Sequence, residues 1–128
     1  MSKGYDANRA HRDQIASCGK SLGKRAGFSC EWCGSKDDLR PWEFHPGCEP
    51  ALETLALFCG RCRSIADGAS AEPGELHFLR TALWSDIEAI AGGAGRALVR
   101  SRISWAREAI EESIFDEPLK ETLLKELR

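Results

Sequence analysis

Two like-spaced units, Cys30-Glu31-Trp32-Cys33 and Cys59-Gly60-Arg61-Cys62, constrain this chain more than anything else in its 128 residues. The 25 residues between them, 34–58, complete a C-x2-C…C-x2-C pattern of the kind that holds a metal. Two residues between cysteines let a tight turn aim both sulfurs at one ion, while the turn amides donate hydrogen bonds to the thiolates. Two such turns supply a tetrahedron. Zn²⁺ suits four thiolates, and a closed four-cysteine site leaves no position open to water, so its role is structural. Cys30, Cys33, Cys59 and Cys62 are the candidate ligands of one structural zinc ion. Iron is the alternative metal, and disulfides or free thiols are the alternative without one.

Six cysteines in all leave Cys18 and Cys48 over. Neither has a cysteine two or three residues away, and both read as core or loop thiols. Cys48 lies in His45-Pro46-Gly47-Cys48-Glu49-Pro50, a turn-rich stretch that could approach the metal and exchange with one of the four.

The length suits one domain with a real core, residues 1–128, and the charged (30%) and apolar (42%) fractions exclude long disorder as the default. No apolar run approaches the ~18 residues of a membrane span. The opening Met1-Ser2-Lys3-Gly4-Tyr5-Asp6 lacks an apolar signal-peptide core, so the expected compartment is cytoplasmic and reducing, where clustered cysteines bind metal more often than they pair. Net charge is −2, from 18 basic and 20 acidic residues, which argues against a generally basic nucleic-acid coat protein.

The fold class expected is α+β and mostly helical. Ala7, His11, Ile15, Cys18, Leu22 and Ala26 make a helical stripe in an N-terminal helix and lead-in (1–28), weakened by Gly19 and Gly23. A knuckle module (29–68) follows. Residues 39–44 and 55–58 read as two short strands, the first an edge strand because of Pro41, and Cys59 to Ile65 reads as a turn entering a short helix closed by Asp67-Gly68. This is the layout of a zinc ribbon or treble clef, a β-hairpin too small for its own core and held by its metal. The remainder (69–128) predicts three or four helices. Leu76, Leu79, Leu83 and Trp84 suit the first, with Trp84 and Trp105 in the core. Ser85-Asp86-Ile87-Glu88 reads as a capping box opening the second, whose middle is made uncertain by Gly92, Gly93 and Gly95. Ala97 to Phe115 is periodic, re-capped near Ser104. Asp116-Glu117-Pro118 opens a last helix with Leu119, Leu123 and Leu127 inward.

Ser29-Cys30-Glu31-Trp32-Cys33-Gly34, the Trp42-Glu43-Phe44 strand, Leu57-Phe58-Cys59-Gly60-Arg61-Cys62, Leu83-Trp84-Ser85 and Ser104-Trp105-Ala106 together resemble the N-terminal, proteobacterial-type zinc-ribbon module of the PhnA family, the alkylphosphonate utilization operon proteins. The resemblance covers roughly residues 20–115 and implies zinc ligation by Cys30, Cys33, Cys59 and Cys62. Relatives usually continue into a β-rich PhnA domain, which is not found before Arg128. The family's name records operon context, so the resemblance does not imply phosphonate hydrolysis.

Three functions compete. HNH nucleases share a treble clef with two knuckles, and Trp42-Glu43-Phe44-His45-Pro46 looks like their general-base segment. Here Glu53 or Thr54 stands at the middle Asn position and Arg63 where the final His would be, so one of three catalytic positions survives and no catalytic residue is assigned. Nucleic-acid binding is the alternative reading: Lys20, Lys24, Arg25, Arg40, Arg61, Arg63, Arg96, Arg100 and Arg107 would meet phosphates, and Trp32 or Trp42 would stack on bases. The third requires least: a non-catalytic zinc-stabilised structural or interaction module with a protein partner and no membrane.

Overall fold

The computed structural model describes residues 3–45, 49–113, 115 and 117–127. It is mostly helical: α1 (Lys3–Ala26), β1 (Arg40–Glu43), β2 (Leu55–Phe58), α2 (Gly60–Ala66), α3 (His77–Ala82), α4 (Glu88–Ser101), α5 (Ala106–Glu112) and α6 (Glu117–Glu126). Short 3-10 turns precede β2 (Leu52–Thr54) and α3 (Pro73–Leu76). Among the described residues no helix is long and apolar enough to cross a membrane.

The expected N-terminal stripe packs at Cys18, Leu22 and Ala26, while His11 and Ile15 are half-buried and the Ala7 side chain lies outside the described residues. Leu22 is fully buried against Leu55 and Leu57, with Cys18 and Ala26 packed beside them. Gly23 does not interrupt α1; it is where the helix end closes. The Phe28 amide donates to the Gly23 carbonyl at 2.9 Å and the Gly27 amide to the Lys24 carbonyl at 3.3 Å, the paired bonds of a Schellman stop. The Phe28 ring then lies where a Gly23 Cβ would stand, 2.7 Å from its nearest ring carbon.

The two strands pair antiparallel with Pro41 opposite Leu57 and Trp42 opposite Ala56. Pro41 is tolerated because the Leu57 polar groups point away from β1: the Leu57 carbonyl accepts from the Glu31 amide at 2.8 Å, and the Leu57 amide donates to the Glu31 carboxylate at 2.8 Å. All four residues of β2 are buried. Strand alternation puts Leu55 and Leu57 under α1 and turns Ala56 and Phe58 to the opposite face, where Trp32, Trp42 and Phe44 gather. The hairpin is therefore an inner layer between α1 and the later helices.

The last 60 residues differ from expectation in where the chain breaks. Gly92, Gly93 and Gly95 lie inside one continuous helix, and the stop comes at Arg102, in the left-handed region (φ 51) with its amide bonded to the Leu98 and Val99 carbonyls. The glycines are where α4 meets the aromatic layer. A Cβ at Gly92 would overlap the Phe44 ring, with two further ring carbons at 2.8 and 3.0 Å, and one at Gly93 would meet Trp42 and Trp32 at 3.1 and 3.2 Å. Their propensity cost is offset by backbone-to-ring packing no larger residue permits. Gly92→Ala is accordingly expected to lower stability by about 1–3 kcal/mol through overpacking, although alanine ordinarily favours a helix. Gly19→Ala, with nothing within 4 Å of the added carbon, should instead raise it by about 0.5–1 kcal/mol; urea unfolding of the two variants reads the opposite signs.

Four smaller expectations change. Trp84 is 55% exposed, because Leu83 takes the inward place in the turn ending α3 and the next residue faces about 100° away. Trp105 is half-buried, stacked on His77 and under the Arg80 guanidinium. Leu119 is exposed in the first turn of α6, while Leu123, one turn on, closes over Gly95. Ser85 makes no capping box: its hydroxyl accepts from the Ile87 amide at 3.1 Å, and α4 begins at Glu88. The expected start of the last helix at Asp116 lies outside the described residues, as does Cys48.

Candidate metal centre

The first knuckle leaves the α1 stop and turns at once. The Cys30 amide donates to the Ser35 carbonyl at 2.7 Å and the Gly34 amide to the Cys30 carbonyl at 2.9 Å, a reversal that needs Gly34 at φ 82. The second knuckle joins β2 to α2, with Cys59 as the helix N-cap. In each, the second cysteine's amide points at the first one's sulfur: Cys33 to Cys30 Sγ at 3.5 Å, Cys62 to Cys59 Sγ at 3.4 Å. This is the amide-to-thiolate support expected from the spacing.

The four sulfurs lie within 4.8 Å of one another, and the Cys33 and Cys59 sulfurs are 3.6 Å apart. A tetrahedral ion with sulfur ligands at ~2.3 Å requires sulfurs ~3.8 Å apart, so the donor set fits one thiophilic ion. Cys30, Cys59 and Cys62 are buried at 4%, 5% and 1% exposure, whereas Cys33 is exposed on the rim. Cys30 is brought down to about 4, first because the Cys62 thiol donates to it and further by the surrounding backbone amides. Cys62 is pushed up strongly, by that same hydrogen bond and then by burial. Four crowded sulfurs ionise together only with positive charge among them, which a bound cation supplies.

Three arginines lock the knuckles to their surroundings. Arg25 grips both Glu31 carboxylate oxygens at 3.0 and 2.7 Å and also donates to the Leu52 and Leu55 carbonyls. Arg63 donates to the Phe58 and Asp38 carbonyls at 2.8 and 2.6 Å and to the Asp38 carboxylate at 2.7 Å. That guanidinium holds the Asp38 carboxyl below its usual range. Arg61 reaches Glu75 and the Ser70 carbonyl. By sequence alone these arginines read as phosphate contacts, with Asp38 as an acidic neighbour diluting their field and Glu31 without a role. The available signal was an acidic residue inside or just after the first knuckle, matched by an arginine beside each far end.

The other expected site residues fall elsewhere. His45 pairs with Glu88 at 2.7 Å, Glu53 is exposed, and the Thr54 hydroxyl is engaged with Ala51 in the turn before β2. Trp32 and Trp42 are buried at 6% and 9%, with indole N–H groups donating to the Ile90 carbonyl and the Asp67 carboxylate. Arg96 donates to the Phe44 carbonyl and lies 4.0 Å over its ring, Arg100 donates to the Ala66 carbonyl, and Arg40 pairs with Asp38. Lys20, Lys24 and Arg107 are exposed. Among the described residues the four cysteines are the one His, Cys, Asp or Glu cluster with metal-binding spacing. No family model, curated protein or solved structure matches the chain.

Proposed function

We propose that the protein is a non-catalytic zinc protein, a PhnA-like treble-clef module whose metal is structural and whose helical surface serves a protein partner. One observation carries the reading: four sulfurs of two knuckles converge and three of the four cysteines are buried, a donor set that would fill every ligand position of a tetrahedral ion. Cys30, Cys33, Cys59 and Cys62 would hold the ion, which supplies cross-linking and no Lewis-acid step. The engagement of Arg25, Arg61 and Arg63 with Glu31, Glu75 and Asp38 supports a structural role over a phosphate-binding one. The ordered tryptophan and cysteine motifs support the PhnA-like assignment. Elemental analysis of purified protein is expected to give one zinc per chain, and cobalt substitution to give the intense near-ultraviolet thiolate bands of a four-sulfur site. A protein without stoichiometric zinc or iron overturns the reading, and stoichiometric iron would replace the ion while keeping the ligands.

A further inference from the structure

The four sulfurs are not equivalent to solvent. Cys33 is exposed at the rim, whereas Cys30, Cys59 and Cys62 are 4%, 5% and 1% exposed, and the Cys33 sulfur stands 3.6 Å from that of Cys59 on the other knuckle. An accessible metal-bound thiolate is an open target for an electrophilic oxidant, and a second thiolate in contact resolves the oxidised product. Cys18, the other described cysteine, is half-buried against Leu22, Leu55 and Leu57 and has no such neighbour among the described sulfurs.

Resting on the metal reading above, we propose that the cluster is a peroxide-sensitive modification site, oxidised first at Cys33 and closed as a Cys33–Cys59 disulfide with loss of the metal. The Cys33 thiolate attacks one oxygen of a hydroperoxide such as hydrogen peroxide. A sulfur–oxygen bond forms, the oxygen–oxygen bond breaks, and hydroxide leaves. The Cys59 thiolate then attacks the Cys33 sulfur of this sulfenic acid, forming the disulfide and expelling a second hydroxide. Two electrons pass from the two sulfurs to the peroxide oxygens. Of the four clustered sulfurs, Cys30 and Cys62 remain as thiolates, too few to retain a tetrahedral ion. Reduction by a dithiol restores the four donors.

The test is peroxide titration of the zinc-loaded full chain, with released zinc read by a chromogenic chelator and modified cysteines located by peptide mass mapping. Zinc release and Cys33–Cys59 disulfide should rise together, one for one, before Cys18 is oxidised, and dithiothreitol with added zinc should reverse both. Cys33→His, which keeps a ligand and removes the oxidisable rim sulfur, should slow zinc release by about tenfold or more. Product dominated by Cys30–Cys33 or Cys59–Cys62, release unaffected by Cys33→His, or zinc and thiols that survive peroxide each overturn this inference and leave the metal reading standing. Protein that never holds zinc or iron overturns both.

Discussion

Cys59→Ser protein is expected to purify without metal and without a cooperative unfolding transition. Structural zinc contributes on the order of 10 kcal/mol in small zinc domains, as much as the whole stability of a typical domain. The loss spreads because Cys59 is also the N-cap of α2, and because Cys30, Cys59 and Cys62 belong to the same core cluster as Trp32, Phe58 and the α4 alanines. Circular dichroism should show residual helix with no sharp melt. Cys18→Ser, outside the sulfur cluster, should keep full metal content and the parent's melting profile. Metal retained at stoichiometry in Cys59→Ser, or lost in Cys18→Ser, would contradict the ligand assignment.

Arg25→Met should be nearly as informative, at about 3–5 kcal/mol, the range for breaking a buried ion pair from one side. The Arg25 and Glu31 side chains are 21% and 6% exposed, and the guanidinium serves two carbonyls besides the carboxylate. Its removal strands a carboxylate whose one remaining described hydrogen bond comes from the Leu57 amide. Lysine cannot replace the fork, so Arg25→Lys should recover little. The more exposed pairs Arg40–Asp38 and Arg61–Glu75 set the contrast, since solvent screens both and breaking either should cost far less. Adding Glu31→Gln to Arg25→Met should cost less than the sum of the separate changes, because the stranded charge is gone; strict additivity in denaturant melts would refute the coupling.

How much of this was legible differs by interaction type. The sulfur cluster, the hairpin and the buried end of the α1 stripe rest on local spacing, which a sequence displays: Cys30 and Cys33 declare a knuckle without any partner in view. The glycines of α4 could not be interpreted that way. Gly92 reads as a weak point until Phe44, 48 positions earlier, is seen lying on it. Arg25, Arg61 and Arg63 were equally ambiguous, since a basic residue near a knuckle suits a phosphate or a carboxylate alike, and only the fold brings Glu31, Glu75 and Asp38 to them. Trp84 was misplaced by one residue of helical phase, because Leu83 and Trp84 are both apolar and only one of them can point inward.

The two-sided burial of β2 bears on how the chain is made. A nascent chain that has emerged from the ribosome as far as Gly68 carries both knuckles, and α1 is already in place to cover Leu55 and Leu57. The other side of the strand has no cover yet, for Trp32, Trp42 and Phe58 wait on a helix that is complete only at Ser101. Through that interval of synthesis all four clustered cysteines are available while an aromatic surface stays open, so the dangerous moment for misassociation falls after the second knuckle emerges and ends when the smooth glycine face of α4 settles on those rings.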